Sequence, residues 1–194
     1  MPIVSNAPPR AKRADLFANV VVTNQFGEQF RFREELVRGR LAVINTTFTI
    51  CRGTCSGTNS LLKRLRAPLS QLFGKRVSIL TMTIDPVNDT REVLAEYAAQ
   101  FKAMTPSAPD QCDWHFLTGT PDDIETLRRS LGFYDLDRRV DADITRHAAM
   151  LLFGNDRTDR WSTSPTQLRD GLIFEPIRRT LGETTQERYG IRKS

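Results

Sequence analysis

The chain has 194 residues, of which 39% are hydrophobic and 26% charged. That length and balance fit one domain with its own core, and they exclude both a disulfide-dependent miniprotein and a disordered chain. Lys plus Arg number 28 against 23 Asp plus Glu. The basic residues are scattered through every segment, so the surplus gives no concentrated footprint for nucleic acid.

Taken in chain order, residues 1–14 are rich in Pro, Ala and charge and read as a flexible lead-in. Two β-prone runs, Asn19–Thr23 and Glu28–Phe32, flank a turn containing Gly27 and predict a hairpin. Leu41–Thr47 is a short apolar run suited to a strand buried on both faces. Leu61, Leu62, Leu65, Leu69 and Leu72 recur at three- and four-residue steps, which predicts an amphipathic helix that Pro68 kinks or splits. Val77–Thr83 is a second strand. Thr90 is placed to cap a helix running to Met104, with Leu94, Tyr97, Phe101 and Met104 on one face.

Trp114–Leu117 reads as a strand, and Pro121–Gly132 as a helix with Pro and acids in its first turn. Ala148–Phe153 is a strand, Asp156–Ser162 an edge strand, and Leu168, Leu172 and Leu181 mark a last helix that Pro176 breaks. The tail from Glu183 is polar. Strands alternating with helices predict an α/β layer fold around a central mixed sheet. The domain spans residues 15–182, between the lead-in and a polar tail over 183–194. Ala148–Phe153 is the longest apolar run, far short of the ~18–20 residues of a membrane span. The first residues lack the charged start and apolar stretch of a signal peptide.

The chain holds three cysteines and two histidines, a short list of soft ligands and redox groups. Cys51 and Cys55 lie between the buried strand and its following helix, where α/β folds build sites. A helix N-terminus favours the thiolate, Gly53 lets the loop turn tightly, and Arg52 adds a positive charge. A pair so spaced can form a reversible disulfide. It can also hold a soft ion such as Cu(I), given a third ligand. Two buried inert thiols or a structural disulfide are the plainer alternative. His147, just before the apolar strand and after Asp141 and Asp143, is either that ligand, oriented by the neighbouring carboxylates, or a surface histidine of a polar loop. His115 reads as a sheet residue pointing away from the Trp114 and Phe116 face. Cys112, in a Pro-rich stretch, reads as an incidental loop thiol.

Several motifs stand in order: Phe48-Thr49-x-Cys51-x-x-x-Cys55, Thr83-Ile84-Asp85-Pro86-x-x-Asp89-Thr90, Leu94-x-x-Tyr97, Trp114-x-Phe116-Leu117-Thr118-Gly119, and His147. Together, from about Ala18 to Gly154, they resemble the Sco/SenC/PrrC family. The resemblance implies a thioredoxin-like fold with an added N-terminal β-hairpin. It implies copper held by Cys51, Cys55 and His147, and a part in building the dinuclear copper site of cytochrome c oxidase. In that part the protein is a metallochaperone, or a thiol-disulfide oxidoreductase reducing the cysteines of the copper-receiving partner with Cys51 and Cys55 as its redox thiols. The partner implied is the oxidase copper-site subunit or another copper-receiving protein. The expected location is extracytoplasmic, the periplasm, with a membrane anchor in the full-length protein. Asp85 and Asp89 are expected to shape the loop beside the site. The chain departs from the family pattern at Ser56, where Pro usually follows the second cysteine.

Overall fold

The computed structural model describes residues 11–50, 54–104, 109–144 and 149–182. Cys51 and His147 lie outside the described residues, as do most of the lead-in and the tail from Glu183.

The hairpin is formed by β1 (Val21–Asn24) and β2 (Gln29–Arg31). Its turn is tied by one side chain: Asn24 Oδ1 accepts from the amides of Phe26 and Glu28 at 2.9 and 3.0 Å. Gly27 supplies the left-handed residue, at φ +86°. Phe32 does not extend β2. It opens a short π-helical segment, Phe32–Val37, that buries Phe32, Leu36 and Val37.

The centre of the sheet is parallel: β3 (Leu41–Thr47), β4 (Val77–Thr83) and β5 (Asp113–Thr118). All seven residues of β3 and of β4 are buried. That explains runs with no polar alternation, because helices cover both faces of central parallel strands. Two strands complete the other side, β6 (Met150–Asn155) antiparallel to β3 and β7 (Arg160–Pro165) antiparallel to β6. The seven-stranded order is β2-β1-β5-β4-β3-β6-β7.

Alternate residues of each strand feed two cores. Val43, Ile79, Trp114, Phe116, Leu151 and Phe153 face α1 (Thr54–Phe73), α2 (Arg91–Gln100) and α5 (Asp170–Leu181). Ala42, Ile44, Leu80, Met82, Leu117 and Leu152 face α3 (Pro121–Leu131), the π-helical segment and the first residues of the domain. A short helix, α4 (Arg138–Asp141), follows α3.

The sequence and the structure differ at several boundaries. α1 passes through Pro68 as one helix. An interior proline costs about 3 kcal/mol. Leu61, Leu62, Leu65 and Leu69 are all buried, and at roughly 1.5–3 kcal/mol each they outweigh it. α5 likewise runs through Pro176, anchored by Ile173, Ile177 and Leu181. The exposed Leu72, Leu168 and Leu172 are not on the inner faces. α2 stops at Gln100, not Met104, because Lys102 adopts φ +58° and the Ala103 amide bonds back to the Ala98 carbonyl at 3.0 Å. This helix stop normally uses glycine, so the sequence carried no sign of it. α3 has Pro121, Asp122 and Asp123 in its first turn as expected; Thr120 caps its start and Gly132 at φ +86° ends it. The edge strand begins at Arg160, four residues later than the sequence suggests, since Asp159 sits in a turn at φ +52°. Residues 12–14 of the lead-in are engaged: Lys12 Nζ donates to the Asp156 carbonyl, the Arg13 amide to Asp159, and Ala14 is buried.

Candidate metal centre

The C-terminal ends of the parallel strands β3 and β4 carry the segment that leads to the cysteines. Asp89 organises it. This carboxylate is fully buried and accepts from the Thr49 amide at 3.1 and 3.2 Å, from Thr49 Oγ1 at 2.5 Å and from Thr83 Oγ1 at 2.6 Å. A carboxylate gathering donors from two strand ends fixes both, and Thr49 is two residues from Cys51. Asp85 shapes the same loop: its carbonyl accepts the amides of Asn88 and Asp89, and its carboxylate accepts from Asn88 Nδ2. Ile50, between this clasp and Cys51, is 67% exposed.

Cys55 occupies the first turn of α1, as the sequence predicts, and is 1% exposed. That turn carries no acidic residue. One turn further, Asn59 is fully buried. Asn59 Oδ1 accepts from Asn45 at 3.2 Å, and its amide donates to Thr47 Oγ1 and the Tyr97 hydroxyl at 3.2 and 3.3 Å. The chain of bonds continues inward from Asn45 Oδ1 to Thr81 Oγ1 at 2.7 Å and on to Trp114 Nε1 at 2.9 Å. Each buried polar group in it is satisfied, so it pins α1 to β3 instead of destabilising the core. The sequence reading missed this network. Its one visible signal is Asn45, a polar amide directly after the apolar run Leu41–Ile44.

A second bridge reaches the other arm of the candidate site. Thr58 Oγ1, on the Cys55 turn, bonds Thr166 Oγ1 at 3.0 Å. Thr166 in turn donates its amide to the Ala149 carbonyl at 2.9 Å and its hydroxyl to the same oxygen at 3.2 Å. Ala149 is two residues beyond His147. Because β6 runs antiparallel to β3, its start and the end of β3 lie at the same end of the sheet. Among the described residues, no group of three or more His, Cys, Asp or Glu is arranged to hold a metal ion.

The SCO1/SenC family model matches residues 9–181. The chain belongs to the SCO1/SenC family. Its thioredoxin-like fold is that of copper-bound yeast Sco1, which it matches with a TM-score of 0.66 at 18% identity, covering 90% of this chain and 93% of that one. BsSco, described with a disulfide switch and as a member of a family of cytochrome c oxidase assembly proteins, matches with a TM-score of 0.63 at 18% identity, covering 87% and 95%. A Stutzerimonas stutzeri protein that carries copper binding in its provisional name is 24% identical over 144 residues. That stretch is 73% of this chain, and this chain spans 66% of that relative's length.

Within this SCO1/SenC domain three side chains sit differently from the sequence reading, or sharpen it. Asp141 is held by arginines of α3. Its carboxylate is engaged by Arg128 Nη1 at 2.6 Å, Arg128 Nη2 at 3.0 Å and Arg129 Nη2 at 2.6 Å, and by the Asp135 amide at 3.0 Å. The Arg128 guanidinium holds this carboxyl well below the usual carboxylate range. Cys112 is not an incidental loop thiol. It is fully buried, burial pushes its thiol pKa up, and its carbonyl anchors the guanidinium of the buried Arg66 at 3.1 and 3.2 Å. Such a thiol is inert. His115 is the expected sheet residue on the face opposite Trp114. Its Nδ1 accepts from Asn24 Nδ2 at 3.2 Å, and its ring meets Phe30 edge-on. Burial pushes its pKa down. No helix among the described residues is long and apolar enough to cross a membrane.

Proposed function

We propose that this SCO1/SenC protein is a copper metallochaperone. Cys51 and Cys55 supply two thiolates to the cargo ion and His147 supplies the imidazole. The observation that carries this reading is the Thr58–Thr166–Ala149 bridge, which ties the residue two beyond His147 to the helical turn bearing Cys55. The donor set also fits the ion, since thiolates and imidazole suit copper and leave hard cations to oxygen ligands. Binding requires both thiols deprotonated and reduced, so loading releases protons and an oxidised pair takes up no copper. The ion leaves by stepwise exchange of these three ligands for those of the recipient. The recipient we propose is the copper-site subunit of cytochrome c oxidase, with the protein acting in the periplasm and anchored to the membrane at full length.

A thiol-disulfide role is the second reading, favoured by the disulfide switch described for BsSco. One thiolate attacks a recipient disulfide and forms a mixed disulfide, and the other thiolate then displaces it. The recipient gains two electrons and two protons as a dithiol, and Cys51 and Cys55 become a disulfide.

Anaerobic copper loading with metal analysis tests the first reading. Wild type retains stoichiometric copper, Cys51→Ser and Cys55→Ser retain none, and His147→Ala binds much more weakly with an unchanged melting temperature. Wild-type affinity in His147→Ala sinks the three-ligand site. Trapping of a recipient in mixed disulfide with Cys51 or Cys55 supports the second reading, and failure to trap one counts against it.

A further inference from the structure

α1 is docked in two ways along its length. From Leu61 onward its leucines enter the main core. From Cys55 to Ser60 it has no aliphatic or aromatic residue, yet this stretch buries Cys55, Thr58 and Asn59. Asn59 lies one turn beyond Cys55, and side chains four apart share a helix face. Asn59 commits its whole amide to the surrounding elements. Both Nδ2 hydrogens donate, to Thr47 Oγ1 at 3.2 Å and to the Tyr97 hydroxyl at 3.3 Å, and Oδ1 accepts from Asn45 at 3.2 Å. The partners on β3 are held in turn, because Asn45 Oδ1 accepts from Thr81 on β4 and Thr81 from Trp114 on β5.

Apolar contact is non-directional, whereas a hydrogen bond weakens steeply below about 120°. The leucines therefore hold the helix on the sheet, and the amide sets its rotation, and its shift along the axis, at the turns next to Cys55. A buried amide is costly unless all its bonds are made, so stability alone gives no reason for one where a leucine would pack. A fully satisfied buried network specifies one arrangement. We infer that Asn59 is a positioning residue for the Cys55 thiol. Its hydrogen bonds seat the first turns of α1 where Cys55 engages the cargo ion or a partner disulfide. Asn59 touches no metal, since its polar atoms are turned to β3 and α2. The inference rests on the proposed function only in taking Cys55 as a ligand and redox thiol.

The test compares Asn59→Leu, which keeps a branched side chain but loses the hydrogen bonds, with Leu127→Ala, a cavity in the α3-side core. Three quantities are read: Cu(I) affinity by competition with a chromophoric chelator, the thiol-disulfide equilibrium constant against glutathione, and the urea midpoint. Asn59→Leu weakens Cu(I) binding by about tenfold, the low end of the loss when support of a ligand is removed. Its disulfide becomes about tenfold less favoured, a reduction potential ~30 mV higher, because an unseated sulfur loses more freedom on closing the pair. Leu127→Ala lowers the urea midpoint more than Asn59→Leu does, yet leaves both constants at their wild-type values. Thr47→Val and Tyr97→Phe each remove one bond, move both constants the same way by less, and add nothing in an Asn59→Leu background. Wild-type constants in Asn59→Leu overturn the proposal. So does an equal change in Leu127→Ala, which marks a loss of stability alone. If Asn59→Leu does not fold, Thr47→Val and Tyr97→Phe decide by the same two constants. If wild type binds no copper, the metallochaperone reading fails by itself and the disulfide constant still decides this inference.

Discussion

The two arms that approach the candidate copper site are held by different physics. The cysteine arm leaves β3, a strand with every residue buried, and enters α1, whose leucines fill the core. Of its polar contacts, Asn59 with Thr47 is buried and Asp89 with Thr49 is partly so. Among the described residues, the segment from Tyr134 to Ile144 places no side chain in either core and is tied by an ion pair at its edge. Rigid packing thereby fixes the turn of α1 that carries Cys55. The segment that follows α3 is tied at its surface instead, by the Arg128–Asp141 pair.

The largest expected contrast comes from cutting one leucine on each arm. Leu62→Ala leaves a cavity in the main core and lowers unfolding free energy by about 2–5 kcal/mol in a urea titration. Leu136→Ala stays within about 0.5 kcal/mol of wild type. Equal losses would erase the distinction between the arms.

Asp89→Asn sharpens it on the cysteine side. The amide nitrogen meets donors from Thr49 or Thr83, so the variant loses about 1.5–3 kcal/mol. Faster hydrogen exchange of the Thr49 amide, with the α3 amides unchanged, is the check.

The smallest effect is a pH dependence read at the segment that carries Asp141. Asp141 has a folded pKa below its unfolded value. Its contribution is therefore complete above the ordinary carboxylate pKa of about 3.9 and is lost as pH falls from there through the folded value. Pepsin cleavage near Leu136 should accelerate as pH drops below about 4 in wild type. In Asp141→Asn it should vary with pH no more than the enzyme itself does. A wild-type profile as flat as the variant's would show that the clamp does not hold the arm.

How far the sequence foretold this follows from the range of each contact. β3, β4 and α3 were legible because apolar runs, an N1 proline and first-turn acids act within a few residues. The placement of Cys55 on a helical turn was legible for the same reason, whereas the loop-shaping part of Asp85 and Asp89 came only from the family resemblance. The end of α2 was hidden because a lysine, not a glycine, takes the left-handed position. Cys112 was misread because a Pro-rich neighbourhood hides a core position that only Arg66 and Ser70, more than forty residues earlier, reveal. Asn59, Thr166 and the Arg128–Asp141 clamp were silent because what gives each its role is a partner distant in the chain, and one sequence carries no pairing information.

The antiparallel ladder between β3 and β6 acts as a caliper. Five register pairs, from Leu41↔Asn155 to Asn45↔Leu151, set how far the start of β6 projects beyond the strand that feeds the cysteines. A slip of two residues preserves every inward-facing side chain yet slides one jaw by about 6.7 Å, more than the span of any coordination sphere. Insertions within 133–140 would lengthen a tether. A single residue added inside β6 would reset the gauge itself.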